Sequence, residues 1–253
     1  MADFSDRALV LQVGSFKEAD LWVRLLSPVR GLFTAFAFGG SRSRRRFVGC
    51  LDMFNEVQIQ VNSARRGDYL ALQEAVLIRG LSRLRTDWPR LGAAMNCARF
   101  LQSFGVSAEG AEKAHALTCQ TVRLLEECPA ASSLLPLFFR ARFVFEQGYA
   151  LEAERCSGCG AALISAHSLP LAGAAGQGAF LQVREGRILC PACAALSGGQ
   201  GLRLDQEALR IVHRIMNQPP AAWTLEAFSA QSLRQCARAL DAFIQYHVGI
   251  VWD

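Results

Sequence analysis

From Glu56 to Asn62 polar and apolar side chains alternate: Val57, Ile59 and Val61 stand between Glu56, Gln58, Gln60 and Asn62. A period of two belongs to a strand with one buried and one wet face. Four further stretches read as strands: Ala8 to Phe16, Leu21 to Leu26, Leu32 to Phe38, and Tyr69 to Ile78. Ser27-Pro28-Val29-Arg30, closed by Gly31, is a turn sequence, and Ala64-Arg-Arg-Gly-Asp68 separates the fourth strand from the fifth. Five short strands with no helix between them predict a small closed barrel, most economically an OB-fold.

Beyond Leu81 the period changes to about 3.6. Thr86-Asp-Trp-Pro89 reads as a helix start, with Leu91, Ala94, Ala98 and Leu101 on one face and Gly105 as the stop. Leu117, Leu124 and Leu125 mark a second helix that ends before Pro129. A third starts near Ser132 or Ser133 and carries Leu134, Phe138, Ala141 and Phe145 toward Gly148. Asp205 is placed to cap a fourth, with Ala208, Ile211, Val212 and Ile215 inward. The last has Leu233, Cys236, Leu240, Phe243 and His247 on one stripe. His247, and His213 beside the apolar stripe of its own helix, read as satisfied core histidines rather than ligands.

The helical pattern is interrupted by Cys156-Ser-Gly-Cys159 and Cys190-Pro-Ala-Cys193, two CxxC pairs thirty residues apart. Each pair can wrap one face of a cation, and together they complete a tetrahedron of thiolates with no open position. Cys156, Cys159, Cys190 and Cys193 therefore predict one structural zinc ion. The alternatives are two redox dithiols or a knot that has lost its metal. A redox CxxC normally opens a helix after a strand, and neither motif follows a convincing apolar strand into a helix. His167, in the spacer, reads as a loop residue. Gly198-Gly-Gln-Gly201 reads as the exit linker. The predicted class is α+β with several domains. An OB-fold barrel spans residues 1–80, a helical domain comes in two parts at 81–152 and 202–253, and the four-cysteine zinc-binding region is inserted at 153–201.

Composition refines this picture. Of 253 residues, 51% are hydrophobic, enough for packed cores. The opening Met1-Ala-Asp-Phe-Ser-Asp has no basic stretch followed by an apolar run, so no secretory leader and a cytoplasmic protein are expected. Nine cysteines without such a leader argue for reduced thiols, leaving Cys50, Cys97, Cys119, Cys128 and Cys236 free. The stretch from Cys156 to Val183 is uncharged but broken by Gly, Ser, Pro and His, so it is no membrane span. The net charge is +5, and Lys17 and Lys113 are the only lysines, so the positive charge is almost all arginine. Arginine suits phosphate recognition, although an Ala-, Gly- and Arg-rich composition also follows from a GC-rich genome.

Four of these arginines fall in Gly39-Gly-Ser-Arg-Ser-Arg-Arg-Arg46, between the third and fourth strands. Glycines free the backbone and the guanidinium groups supply counter-charge, which is the composition of a phosphate cradle. Phe36, Phe38 and Phe47 offer faces for bases to stack on, or else fill the barrel core. No recognition-helix pattern accompanies them, so sequence-specific reading is not expected. GxxxxGK[S/T], HExxH and GxSxG are absent, which removes the usual signatures of nucleotide hydrolysis, zinc peptidases and serine hydrolases and makes an enzyme the weaker expectation.

Several stretches follow in the order found in the bacterial RecO family: Val13-Gly-Ser-Phe-Lys-Glu-Ala-Asp20, Leu25-Leu-Ser-Pro-Val-Arg-Gly-Leu32, the Gly-Arg loop, Gly49-Cys-Leu-Asp-Met-Phe54 and Leu72-Gln-Glu74. The resemblance continues through the helices and four cysteines to Phe243-Ile-Gln-Tyr-His-Val-Gly249. Phe38 stands where the family commonly has lysine, and Met53 where proline often precedes the phenylalanine. The resemblance implies a non-catalytic recombination mediator in DNA repair. Such a protein binds single- and double-stranded DNA, anneals strands and assists loading of recombinase onto strands coated with single-strand-binding protein. Implied partners are RecR, RecF and the acidic, hydrophobic tail of single-strand-binding protein, with no membrane. Arg42, Arg44, Arg45 and Arg46, with Arg24 and Arg30 on neighbouring strands, would neutralise phosphates. Arg140 and Arg142, on an otherwise apolar helix, suit a carboxylate-ended peptide, or else face solvent. The competing class is an interaction scaffold using barrel and knuckle for protein contacts alone, without meaningful DNA affinity.

Overall fold

The computed structural model describes residues 3–63, 69–128, 133–164, 178–198, 201–223 and 228–250. The Ala64–Asp68 connection, His167, Ser132 and the middle of the Gly198–Gly201 linker lie outside them. Contacts divide the chain into two compact units, residues 1–129 and 130–253. Among the described residues no helix is long and apolar enough to cross a membrane.

The first unit begins with β1 (Phe4–Ser15), β2 (Leu21–Ser27), β3 (Gly31–Ala37), β4 (Glu56–Ser63) and β5 (Leu70–Arg79). They close into a barrel in the order β1-β2-β3-β5-β4, with β4 returning to β1. All pairs are antiparallel except β3 with β5, where Ala35 faces Leu70 and Phe36 faces Ala71. Alternation fills the interior: Ala8, Val10, Val23, Leu25, Ala35, Ala37, Val57, Ile59, Val61 and Leu72 point inward and are buried. The register of β1 shifts between Val10 and Gln12, a bulge of the kind that lets a short sheet curl shut.

The β2–β3 turn is held by Ser27, whose Oγ accepts from the N–H groups of Val29 (3.0 Å) and Arg30 (2.9 Å). Gly31 follows at φ 72°, and a Cβ there would lie 2.2 Å from the Val106 carbonyl oxygen, so only glycine fits. That close approach lets Leu32 N–H donate to Val106 O at 2.9 Å. Helices α1 (Ser82–Thr86), α2 (Trp88–Phe104) and α3 (Ala111–Glu127) complete the unit. Asp87 caps α2 by accepting from Arg90 N–H, with Pro89 in the first turn and Gly105 at the end. α3 packs on β1, β2 and β3, and Arg123 forks onto the Glu56 carboxylate of β4 at 2.8 and 2.6 Å. The contacts thus group the first three helices with the barrel, although the hydrophobic period changes at Leu81.

In the second unit α4 (Leu135–Glu146) is buried on almost every side, from Leu135 through Phe145. A helix apolar all round belongs inside, and here α6 (Gln206–Asn217) and α7 (Ala230–Val248) pack against it. Asp205 caps α6 through Ala208 N–H at 2.8 Å, as the sequence predicts. Ser229 caps α7 through Ser232 N–H at 3.2 Å. Beside the helices lies a three-stranded antiparallel sheet, β7-β6-β8, made of β6 (Ala179–Gln182), β7 (Arg187–Leu189) and β8 (Leu202–Leu204). The sequence reading contains no such sheet. The short helix α5 (Pro191–Leu196) follows β7.

Candidate nucleic-acid face and metal centre

The outer face of the barrel carries the side chains that alternation turns away from the core. On β3, Ala35 and Ala37 point inward, so Phe36 and then Phe38 point outward. Phe16 lies just past β1 and Tyr69 just before β5, and barrel closure brings them to the same place. Phe16 and Phe36 meet edge to face with centroids 4.8 Å apart, and Tyr69 lies 5.9 Å from both Phe36 and Phe38. Lys17 Nζ is 5.5 Å from the Phe16 centroid. These five residues line an open concavity of about 260 Å³.

The Gly-Arg loop starts where this cluster ends. Gly39, at φ 66°, turns the chain, and its N–H donates to Asp20 Oδ1 at 2.8 Å. The loop returns through Arg46, whose carbonyl accepts from Ala75 N–H of β5 at 3.0 Å. Arg46 Nη2 also reaches back to donate to Phe38 O at 2.6 Å. The side chains of Arg42, Arg44 and Arg45 are exposed, with no hydrogen bond or ion pair among the described residues. Three exposed guanidinium groups thus belong to the loop that starts from the exposed Phe38.

The remaining predicted barrel residues fall elsewhere. Phe47 is buried in the barrel core, so of the three phenylalanines only Phe36 and Phe38 offer a face outside. Arg24 lies on the outer face of β2, donating to Thr34 Oγ1 at 2.7 Å. Arg30 sits in the β2–β3 turn, not on a strand, its guanidinium 3.6 Å from the Phe4 ring centroid. That turn is at the opposite end of the hairpin from the Gly-Arg loop, about 20 Å away by strand rise.

In the second unit the thiols of Cys156, Cys159, Cys190 and Cys193 converge, with all four sulfurs within 4.8 Å of one another. The first pair sits on a tight knuckle: Cys156 N–H donates to Ala161 O, Gly160 N–H donates to Cys156 O (both 2.8 Å), and Gly160 has φ 74°. Ser157 N–H donates to Ile188 O of β7, which sets the knuckle against the second pair. Cys190 immediately precedes α5, whose first turn carries Pro191 and Cys193. The second motif therefore does run from a strand into a helix, which corrects the sequence argument against a redox dithiol. The convergence of two pairs now makes the case for a metal.

The donor set fits a tetrahedral ion. Thiolates about 2.3 Å from a zinc-sized centre are about 3.8 Å apart, and Cys159 Sγ and Cys190 Sγ are separated by 3.8 Å. The N–H groups of Cys190 (3.2 Å) and Gly158 (3.4 Å) point at Cys156 Sγ, as they do toward a thiolate. Burial opposes ionisation of Cys156, but hydrogen bonds from Cys190, Cys159 and Gly158 outweigh it and bring the thiol down to about 6. A Cβ on Gly158 would lie 3.0 Å from Cys193 Sγ, so a side chain there crowds the sulfur.

Two family models cover the chain: Recombination protein O N terminal over residues 1–81 and Recombination protein O C terminal over 85–252. The chain is 47% identical over 251 residues to the DNA repair protein RecO of Oleidesulfovibrio alaskensis, covering 99% of this chain and 97% of that protein. It is likewise 47% identical over 252 residues to that of Nitratidesulfovibrio vulgaris, with the same coverage. To the RecO of Anaeromyxobacter dehalogenans it is 28% identical over 242 residues, 95% of this chain and 90% of that one. The chain belongs to the RecO family.

In this chain Arg140 and Arg142 are both engaged by groups of the second unit, Arg140 buried and Arg142 partly exposed. Arg140 is buried, with Nη2 3.5 Å from Asp241 Oδ1. Arg142 Nη1 donates to the carbonyls of Ile215 (3.1 Å), Met216 and Gln218 (3.5 Å), capping the end of α6, while its Nε bonds Glu146 at 2.6 Å. His247 is satisfied as expected, with Nε2 2.8 Å from Val183 O and its ring against Phe243. His213 pairs with Glu154 at 2.7 Å. Of the free cysteines, Cys119 is pushed up to about 12 and Cys236 further up, each chiefly by burial, which disfavours the thiolate. Sequence reasoning missed Phe16, Lys17 and Tyr69 as surface residues. The signal available was an aromatic at each strand end flanking the Phe36–Phe38 alternation.

Proposed function

We propose that this chain is a non-catalytic recombination mediator in DNA repair. It binds single- and double-stranded DNA without sequence specificity, anneals complementary strands and assists loading of recombinase onto strands coated with single-strand-binding protein. The observation that carries this reading is the Gly-Arg loop. Arg42, Arg44 and Arg45 carry exposed guanidinium groups on the loop that starts from the exposed Phe38 of a small closed barrel. Such groups neutralise phosphates without reading bases, and a scaffold that touched only proteins would leave them without a role. Arg46 and Arg24 lie on the same barrel and add to its positive field, whereas Arg30 would meet only a strand long enough to pass both ends of the hairpin.

The four cysteines hold one zinc ion in a structural role, joining the knuckle, β7 and α5, since four thiolates leave no position for a reacting water. The partners are RecR, RecF and the tail of single-strand-binding protein, and the protein works in the cytoplasm. A tail carboxylate at Arg140 and Arg142 has to displace Asp241 and Glu146. If Arg140→Glu with Arg142→Glu binds a tail peptide as wild type does, that location is excluded.

The direct test of function is annealing of two complementary strands, each coated with single-strand-binding protein. The account expects acceleration by the wild type and its loss in Arg42→Ala/Arg44→Ala/Arg45→Ala. An annealing rate that the protein leaves unchanged refutes the mediator reading.

A further inference from the structure

Resting on the DNA-binding reading, we infer that the concavity formed by Phe16, Lys17, Phe36, Phe38 and Tyr69 receives one unpaired base of a single strand. The rings are not core: Phe16, Phe38 and Tyr69 are 49%, 38% and 39% exposed, while the barrel's interior residues sit at or near zero. Four rings gathered on a wet surface leave apolar area in water that only a bound group removes. Their arrangement holds them for such a group. Phe36 is fixed by Phe16 on one side and Tyr69 on the other, both edge to face, and it lies within 22° of parallel to Phe38.

Charge selects the occupant. Among the described residues the only charged side chain in the lining is Lys17. The Phe38 carbonyl is held by Arg46, so the loop bearing Arg42, Arg44 and Arg45 both leaves from and returns to the rim. An apolar hollow rimmed by cations fits a flat ring attached to a phosphate, which is a nucleotide. Its 260 Å³ lies below the range of pockets that enclose drug-sized ligands, a size suited to one flat ring. A base in a duplex keeps both faces covered by its neighbours, whereas a single strand can offer one to the rings. The arginines then bind either form of DNA, and the aromatic hollow adds affinity for single strands alone.

The test compares three labelled DNAs of equal length on the full chain: a thymine homopolymer, a strand abasic throughout, and a duplex. The abasic strand keeps the phosphates and lacks only the bases. The wild type is expected to bind the thymine strand about five- to a hundred-fold more tightly than the abasic one. Phe38→Ala/Tyr69→Ala is expected to bind both alike, at the wild type's abasic affinity, with duplex affinity unchanged. Phe38→Trp should keep the preference, which separates loss of a ring from loss of fold. Equal binding of thymine and abasic strands by the wild type, with steep salt dependence, overturns the base subsite while the DNA-binding reading stands. A preference that survives in the double variant also overturns it. Failure to bind any of the three overturns both.

Discussion

Replacing Arg42, Arg44 and Arg45 by alanine, with Arg46 left in place, isolates the phosphate contacts of the barrel. The choice follows from geometry. Arg46 closes the loop through Phe38 O and lies over the Phe47 ring, so its loss confounds binding with loop structure. The other three side chains are exposed and make no hydrogen bond or ion pair among the described residues, so the variant should melt with the wild type. Each phosphate contact with a single strand contributes about 0.7 to the slope of log K against log salt. Three lost contacts lower the slope by about 2. Between about 50 and 200 mM salt the wild type should therefore lose roughly twenty-fold more affinity than the variant. Fluorescence anisotropy of a labelled strand at four or more salt concentrations measures both slopes. A variant that binds weakly with the wild-type slope would refute the reasoning, because the lost affinity would then not come from released counterions.

Three further predictions concern the second unit. Cys159→Ser should lower bound zinc, measured by elemental analysis of purified protein, and a strong chelator should lower the melting temperature of wild type more than of the variant; equal zinc in both would contradict a four-thiolate site. Hydrogen bonds from Ser229 and Ser232 hold the Glu207 carboxyl below its ordinary value, so the folded chain binds fewer protons there than the unfolded one. Stability from this group is present above the usual carboxylate range and is lost as pH falls through it, so Glu207→Gln should flatten the acid limb of a denaturation-against-pH curve. Arg142→Met keeps the aliphatic stem but removes the cap on α6 and leaves Glu146 without its partner, and should cost about 2–3 kcal/mol in urea denaturation.

Much of the fold is legible where a single periodicity runs long enough. β4 shows its alternation over seven residues, Asp87 and Asp205 mark helix starts with the side chains that do the capping, and Gly105 marks a helix end through its backbone at positive φ. Strands β6, β7 and β8 have four, three and three residues, too short for a period to register, and they pair only through contacts distant in sequence. The cysteine cluster was readable because spacing alone sets the reach of each pair. Arg142 was not: its partners are carbonyls of a helix more than seventy residues on, and a carbonyl leaves no mark in the sequence. Phe38 and Phe47 look alike on the page. One continues the outward alternation of β3, and the other is carried inside when the loop is pinned to Ala75 of β5. The aromatic hollow was visible only in part, because Phe16 and Tyr69 come from strand ends that meet through barrel closure.

The most direct test of the central claim is to map where a single strand lies on the intact chain, by photo-crosslinking an iodouracil-substituted strand and sequencing the attached peptides by mass spectrometry. The account predicts crosslinks on the segments around Phe16 to Lys17 and Phe36 to Arg46. Crosslinks confined to residues 130–253 would contradict it.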